Sequence, residues 1–232
     1  MIATIAVLGA VSAALVLGAV LGLSGLLRDR TEGFLVAVAG GALIVSLMLE
    51  LVQPSVETTS LGLTLIFLVT GALIFTAVDY WVDEVWGAEN GSGMLVAVTL
   101  DGIPENVALG ALLVSAGPME AAALAGSILL SNLPEASAGA RRMQDSGLSR
   151  GAAFGVWAAA AGLLAAAAIL GNLLLDGVSE QVLAAVRSFA AGSVIAALAT
   201  EIFPSAFRRS AHYSGIAVAI GLALAMMLHE AG

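Results

Sequence analysis

The chain contains no cysteine and no lysine. Without cysteine there are no disulfides, no thiolate metal sites, no haem or iron–sulfur attachment through sulfur, and no cysteine nucleophile. Without lysine, all eight basic residues are arginine, and against 17 acids they leave a formal net charge of −9. Such a balance does not suit binding of nucleic acid or anionic substrates as the main task. Charge of either sign is scarce: 11% of 232 residues, where a soluble domain carries about 25%.

What fills the chain instead is apolar. The hydrophobic set makes up 60% of the residues, and the mean hydropathy is +1.04. These residues fall in continuous runs rich in Ala, Leu and Gly, so lipid is the solvent for most of the surface. A β-barrel needs alternating polar and apolar positions in segments of about ten, and the runs do not alternate. A transmembrane helix takes about 20 apolar residues. Eight segments of that kind are present, at about 2–26, 34–53, 61–79, 93–116, 119–139, 151–171, 182–203 and 213–230. They predict an all-α polytopic membrane protein in which residues 1–232 form a single transmembrane domain. The first segment has no basic leader and no convincing cleavage site, and reads as a span rather than a signal peptide.

Arginine orients the bundle. Arg28 and Arg30 follow helix 1, Arg141, Arg142 and Arg150 lie between helices 5 and 6, and Arg208 and Arg209 lie between helices 7 and 8. All seven fall on one side, which the positive-inside rule makes cytoplasmic. Arg187, inside the start of helix 7, is nearer the other side. Both termini then lie outside, and the short loops suit a prokaryotic-type plasma membrane.

The sequence also repeats a pattern. Helix 2 runs from Ala39 through small residues to Glu50, with Pro54 after it, and helix 7 runs from Ala190 to Glu201, with Pro204 after it. Helices 4 and 5 share Pro-Glu, at Pro104-Glu105 and Pro134-Glu135. A 3+2+3 arrangement follows, with helices 1–3 and 6–8 as inverted repeats around helices 4 and 5. Inverted repeats are a common construction of transporters.

A charge at the bilayer centre costs about 2.5–3.5 kcal/mol on insertion scales. Five acids nevertheless lie in the expected spans: Glu50, Asp101, Glu105, Glu135 and Glu201. Only Arg187 is available within a span to neutralise them, so protons or a visiting cation must. Asp101 and Glu105 are one helical turn apart, as are Ser131 and Glu135, with Asn132 beside them. Each set straddles a proline. Pro104 cannot donate to the Leu100 carbonyl, nor Pro134 to that of Leu130, so backbone oxygens are freed beside the carboxylates. Two such helices predict an oxygen-lined cation site near the midplane, where irregular backbone is tolerated if it lines a cavity.

Blander readings compete. A lone acid such as Glu50 can be protonated and serve packing alone. Gly102, Gly110, Gly126 and Gly139 read as close-packing positions. Asp79, Asp83, Glu84 and Glu89, with Trp81 and Trp86, read as an interfacial belt with a solvated acidic face, alternatively as a collector of departing metal. His212 and His229 lie at span edges, outside the expected ligand set.

Asp101-Gly102-Ile103-Pro104-Glu105-Asn106 resembles the His-Asn-x-Pro-Glu-Gly signature of the ZIP (Zrt/Irt-like) divalent-metal transporters, and Ser131-Asn132-Leu133-Pro134-Glu135-Ala136 resembles the partner signature in their fifth helix. The resemblance implies Glu105 and Glu135 as bridging metal ligands, Asn132 as a direct ligand, and Glu201 on the exit route. Asp101 and Ser131 take positions where the family has His, and His or Gln. It further implies that the metal, of the Zn²⁺, Mn²⁺ or Fe²⁺ class, is a transported substrate rather than a cofactor. Protons are candidate co-substrates, and Gly/Ala-rich faces would permit a homodimer. An all-oxygen ligand set favours harder ions than imidazole does. A Ca²⁺ or other cation antiporter driven by H⁺ or Na⁺ is the main rival. An intramembrane hydrolase lacks any nucleophile or metalloprotease motif in this sequence, and a non-transporting scaffold leaves the acids of helices 4 and 5 unexplained.

Overall fold

Four of the five prolines stand inside helices, and how the backbone carries them shapes the bundle. The computed structural model describes residues 2–86, 91–115 and 121–231. These residues form eight long helical runs and no strand: α1 (Ile2–Ser24), α2 (Asp29–Thr58), α3 (Leu61–Trp86), α4 (Gly91–Ser115), α5 (Ala122–Asp145), α6 (Arg150–Leu175), α7 (Glu180–Ser210) and α8 (Tyr213–Ala231). Pro104 and Pro134 lie within α4 and α5. Pro54 and Pro204 each follow a π-helical turn, Leu47–Val52 in α2 and Leu198–Ile202 in α7. A proline removes the i→i−4 bond and crowds that carbonyl, and a widened turn lets the helix continue past it. Glu50 and Glu201 occupy these two turns.

The helices therefore outrun the hydropathy limits. α2 passes the expected end at 53 to reach Thr58, and α7 passes 203 to reach Ser210. α3 continues to Trp86, carrying Asp79 and Glu84, and α5 continues to Asp145, carrying Arg141 and Arg142. At its other end α2 begins at Asp29, so the charged stretch read as a loop is helical. Asp29 and Glu32 in that first turn suit the helix dipole. Tight connections end α5 and α6 by one device: a glycine at positive φ (Gly147, Gly177), then a serine (Ser149, Ser179) whose hydroxyl accepts from the backbone N–H three residues on.

Packing follows pairs. α1 lies along α5, α2 along α8, α3 along α7 and α4 along α6. Small residues let the backbones meet at each seam. A Cβ added at Gly22 would overlap the Ser137 carbonyl, at Gly221 that of Val38, at Gly192 that of Leu68, and at Gly110 that of Ala168. Gly102 and Gly139 are likewise closed by Leu164 and Trp157, as expected, whereas Gly126 has nothing nearer than Leu228 at 4.0 Å. α1 also packs on α6, so α1, α4, α5 and α6 form one group and α2, α3, α7 and α8 another. The groups meet where α2 faces α5 and α4 faces α7. The α2–α5 seam is polar at both ends, through Ser46 and Ser127 (2.9 Å) and through Glu32 and Ser137 (2.6 Å). Helices 4 and 5 are thus not a central pair packed on each other: each packs chiefly on other helices.

Among the described residues, five of the helices, α2, α3, α6, α7 and α8, are long and apolar enough to cross a membrane. α2 and α7 are mostly enclosed by their neighbours, while α3 and α8 are peripheral. Ile66 and Leu73 on α3, Leu173 and Leu174 on α6, and Ile216 and Met227 on α8 stand exposed. So much outward hydrocarbon is what a membrane protein presents to lipid.

Candidate metal site

The two Pro-Glu motifs meet across a small enclosed cavity. Glu105 from α4 and Asn132 and Glu135 from α5 line it, with Gly102, Leu15, Leu164, Ala197 and Ile202. Its free volume is about 10 Å³, the room of a single water or bare ion. Glu105 is buried, at 6% exposure. The two carboxylates lie within electrostatic reach of each other. No basic side chain forms a salt bridge to either among the described residues. The Asn132 amide donates to the Val11 carbonyl of α1 at 3.3 Å, a bond that uses its nitrogen and not its oxygen. Asn106, buried one position beyond Glu105, donates to the Gly102 carbonyl at 2.9 Å and steadies the backbone beside Pro104.

Glu135 also lines a second, larger cavity of about 170 Å³. Ser131 and Ala138 of α5, Val36 of α2, and Thr200, Glu201, Ile202 and Ser205 of α7 form its walls, with Arg142, Arg208 and Arg209 at one end. Ser131, Glu135, Ala138 and Arg142 succeed one another at helical spacing, which puts them on one face of α5. The π turn of α7 carries Glu201 into the same space, within electrostatic reach of Glu135.

Of the residues expected at the site, the structure brings Glu105, Asn132 and Glu135 to the small cavity and Ser131, Glu135 and Glu201 to the large one. The side chain of Asp101 lies outside the described residues, as do those of Asp83 and Trp86 and the whole of Glu89. Among the described residues, no group of three His, Cys, Asp or Glu side chains is placed to hold a metal. Among the described residues, a cation here would find two carboxylates in either cavity, and would draw further oxygens from Asn132, hydroxyls or backbone. Of the acids at the end of α3, Asp79 and Glu84 do not line the large cavity, whose basic end is arginine.

Sequence reasoning missed a second polar centre. Glu32 is buried, at 1% exposure, and its carboxylate accepts from Ser137 at 2.6 Å, Arg141 at 2.8 Å and Arg209 at 3.2 Å. Arg141 also reaches Asp29 at 2.9 Å and the Leu27 carbonyl. One acid of α2 thus ties α5 to α7. The signal available was only the Asp29–Glu32 spacing ahead of an apolar run. His229, at a span edge, places its Nδ1 2.7 Å from Glu50, the acid in the other π turn. Arg187 is buried on α7, with its Nε and one Nη unpartnered among the described residues.

No protein-family model and no curated protein sequence matches the chain.

Proposed function

We propose that this protein is a ZIP-like membrane transporter that moves divalent metal ions of the Zn²⁺, Mn²⁺ and Fe²⁺ class towards the cytoplasm. The observation that carries the reading is that Glu135 belongs to both cavities. One carboxylate then serves an enclosed, ion-sized chamber with Glu105 and an open chamber with Glu201, and the three acids form a relay. Glu105 and Glu135 form no salt bridge among the described residues, and Glu135 meets only the longer-range charge of Arg142, so protons hold the empty site close to neutral and leave as metal arrives. By the arginine rule the open chamber faces the cytoplasm, because Arg142, Arg208 and Arg209 stand at its mouth.

In this reading all eight helices span the bilayer of a plasma membrane, with both termini outside. Exchanging helix 1 with 6, 2 with 7, 3 with 8 and 4 with 5 turns each packed pair into another: α2–α8 into α7–α3, and α1–α5 into α6–α4. The paired π turns at Glu50 and Glu201 obey the same exchange. Both facts support the 3+2+3 inverted repeat. Alternating access would come from motion of α1, α4, α5 and α6 against α2, α3, α7 and α8, since the glycine-closed seams lie within these groups. An oxygen-only ligand set favours Mn²⁺ or Fe²⁺ beside Zn²⁺.

The test is uptake by proteoliposomes of Zn²⁺, Mn²⁺, Fe²⁺, Cd²⁺, Ca²⁺ and Mg²⁺, with a Glu105→Ala/Glu135→Ala variant alongside. Saturable transition-metal uptake that the variant loses is expected. Ca²⁺ flux that needs a Na⁺ or H⁺ gradient would favour the exchanger instead. Flux indifferent to both glutamates, or no flux of any ion, would overturn the reading.

A further inference from the structure

The large cavity has a feature that passage of a cation does not call for. Arg142 at the end of α5 and Arg208 and Arg209 at the end of α7 line its mouth, beside the hydroxyl of Ser205. Basic residues in a last helical turn suit the dipole and the inner leaflet, which accounts for their presence. It does not account for three of them, from two helices, lining one cavity, with Arg142 close enough to Arg209 to repel it. Arg209 is held from behind by Glu32 at 3.2 Å. Arg142 and Arg208 form no salt bridge among the described residues, and Arg142 meets only the longer-range attraction of Glu135 on the inner wall, so neither guanidinium is tied to a carboxylate.

Guanidinium forks bind tetrahedral oxyanions through paired, charge-assisted hydrogen bonds, and a serine hydroxyl adds a donor between them. The glutamates on the inner wall repel an anion, so the ligand stays at the mouth and must be compact. We propose that Arg142, Arg208 and Ser205, with Arg209 as a fixed cationic wall, bind a phosphate-type oxyanion at the mouth of this cavity. Such an anion would also lower the repulsion that a departing metal meets there, a consequence that rests on the transport reading. The binding itself does not rest on it, and is measurable on metal-free protein.

The experiment is equilibrium dialysis of ³²P-labelled orthophosphate against the full chain in phosphatidylcholine nanodiscs, at fixed ionic strength and without metal. One saturable site per chain is expected, at least tenfold weaker in Arg142→Gln/Arg208→Gln and several-fold weaker in Ser205→Ala. Arg150→Gln, an exposed arginine outside the cavity, should bind as the parent does. Glu135→Gln should bind as well or better, because it removes a repelling charge, so failure of metal transport and failure of this site give different results. If phosphatidylglycerol in the disc displaces the label, the occupant is a lipid headgroup; if the label stays, it is the free anion. Either result upholds the site. Non-saturable binding, or saturable binding that survives Arg142→Gln/Arg208→Gln, overturns it.

Discussion

Two buried glutamates of this protein meet opposite treatment. Glu32 is 1% exposed and Glu105 is 6% exposed, so both carboxylates are removed from water. Glu32 is surrounded by a hydroxyl and two guanidiniums. Glu105 has no basic partner among the described residues, and the charge within its reach is another acid. Burial alone therefore does not mark a working acid. A carboxylate whose lone pairs are all engaged by fixed donors is structural, and removing it strands its partners. A carboxylate left without countercharge must borrow one from solution, as a proton or as a metal. The sequence shows both as acids near apolar runs, and only the neighbours separate them.

The sharpest way to break this contrast is to neutralise the two acids that form no salt bridge among the described residues. Glu105→Gln/Glu135→Gln should lower the initial rate of metal uptake by more than a hundredfold in proteoliposomes. It should leave thermal stability in detergent unchanged or raised, because a repulsion is relieved. Glu32→Gln should act the other way, with unfolding as its main effect. Leaving Arg141 and Arg209 facing an uncharged group should cost about 3–5 kcal/mol, read from chemical denaturation. Adding Arg141→Met should restore part of that loss if the cost lies in the stranded cation. Next come the glycine seams. Gly221→Ala or Gly192→Ala places a Cβ on a neighbouring carbonyl and should cost about 1–3 kcal/mol by overpacking. Gly155→Ala, in open space on α6, should be neutral or stabilise by up to about 1 kcal/mol. The smallest effect is expected at His229, whose side chain is 41% exposed. Its pair with Glu50 should contribute no more than about 1 kcal/mol, and His229→Gln should shift the melting curve only slightly.

The contrast also marks how far the sequence could be read. Proline beside glutamate in two helices pointed to Glu105 and Glu135, because proline at membrane depth frees oxygens whatever the tertiary packing. Asn132 and Glu201 followed from position and pattern. Glu32 could not be found that way: it sits among Arg28, Asp29 and Arg30, and hydropathy turns any such cluster into a loop. Its importance arises only when α5 and α7 deliver arginines from more than 100 residues away. The arginines themselves served as topology markers, a use that ignores which cavity they face. The π turns were equally hidden. Pro54 and Pro204 read as helix ends, since a sequence pattern cannot tell a stopped helix from a widened one.

The double membership of Glu135 bears on time. A carboxylate that walls two chambers can hand its cargo from one to the other by turning about its own side-chain bonds, a motion of picoseconds to nanoseconds where there is room. Displacement of packed helices takes microseconds to milliseconds. The handover is thus never the bottleneck of the proposed cycle. Its clock is the α2–α5 seam, where Arg141 must let go of Glu32 or carry it along.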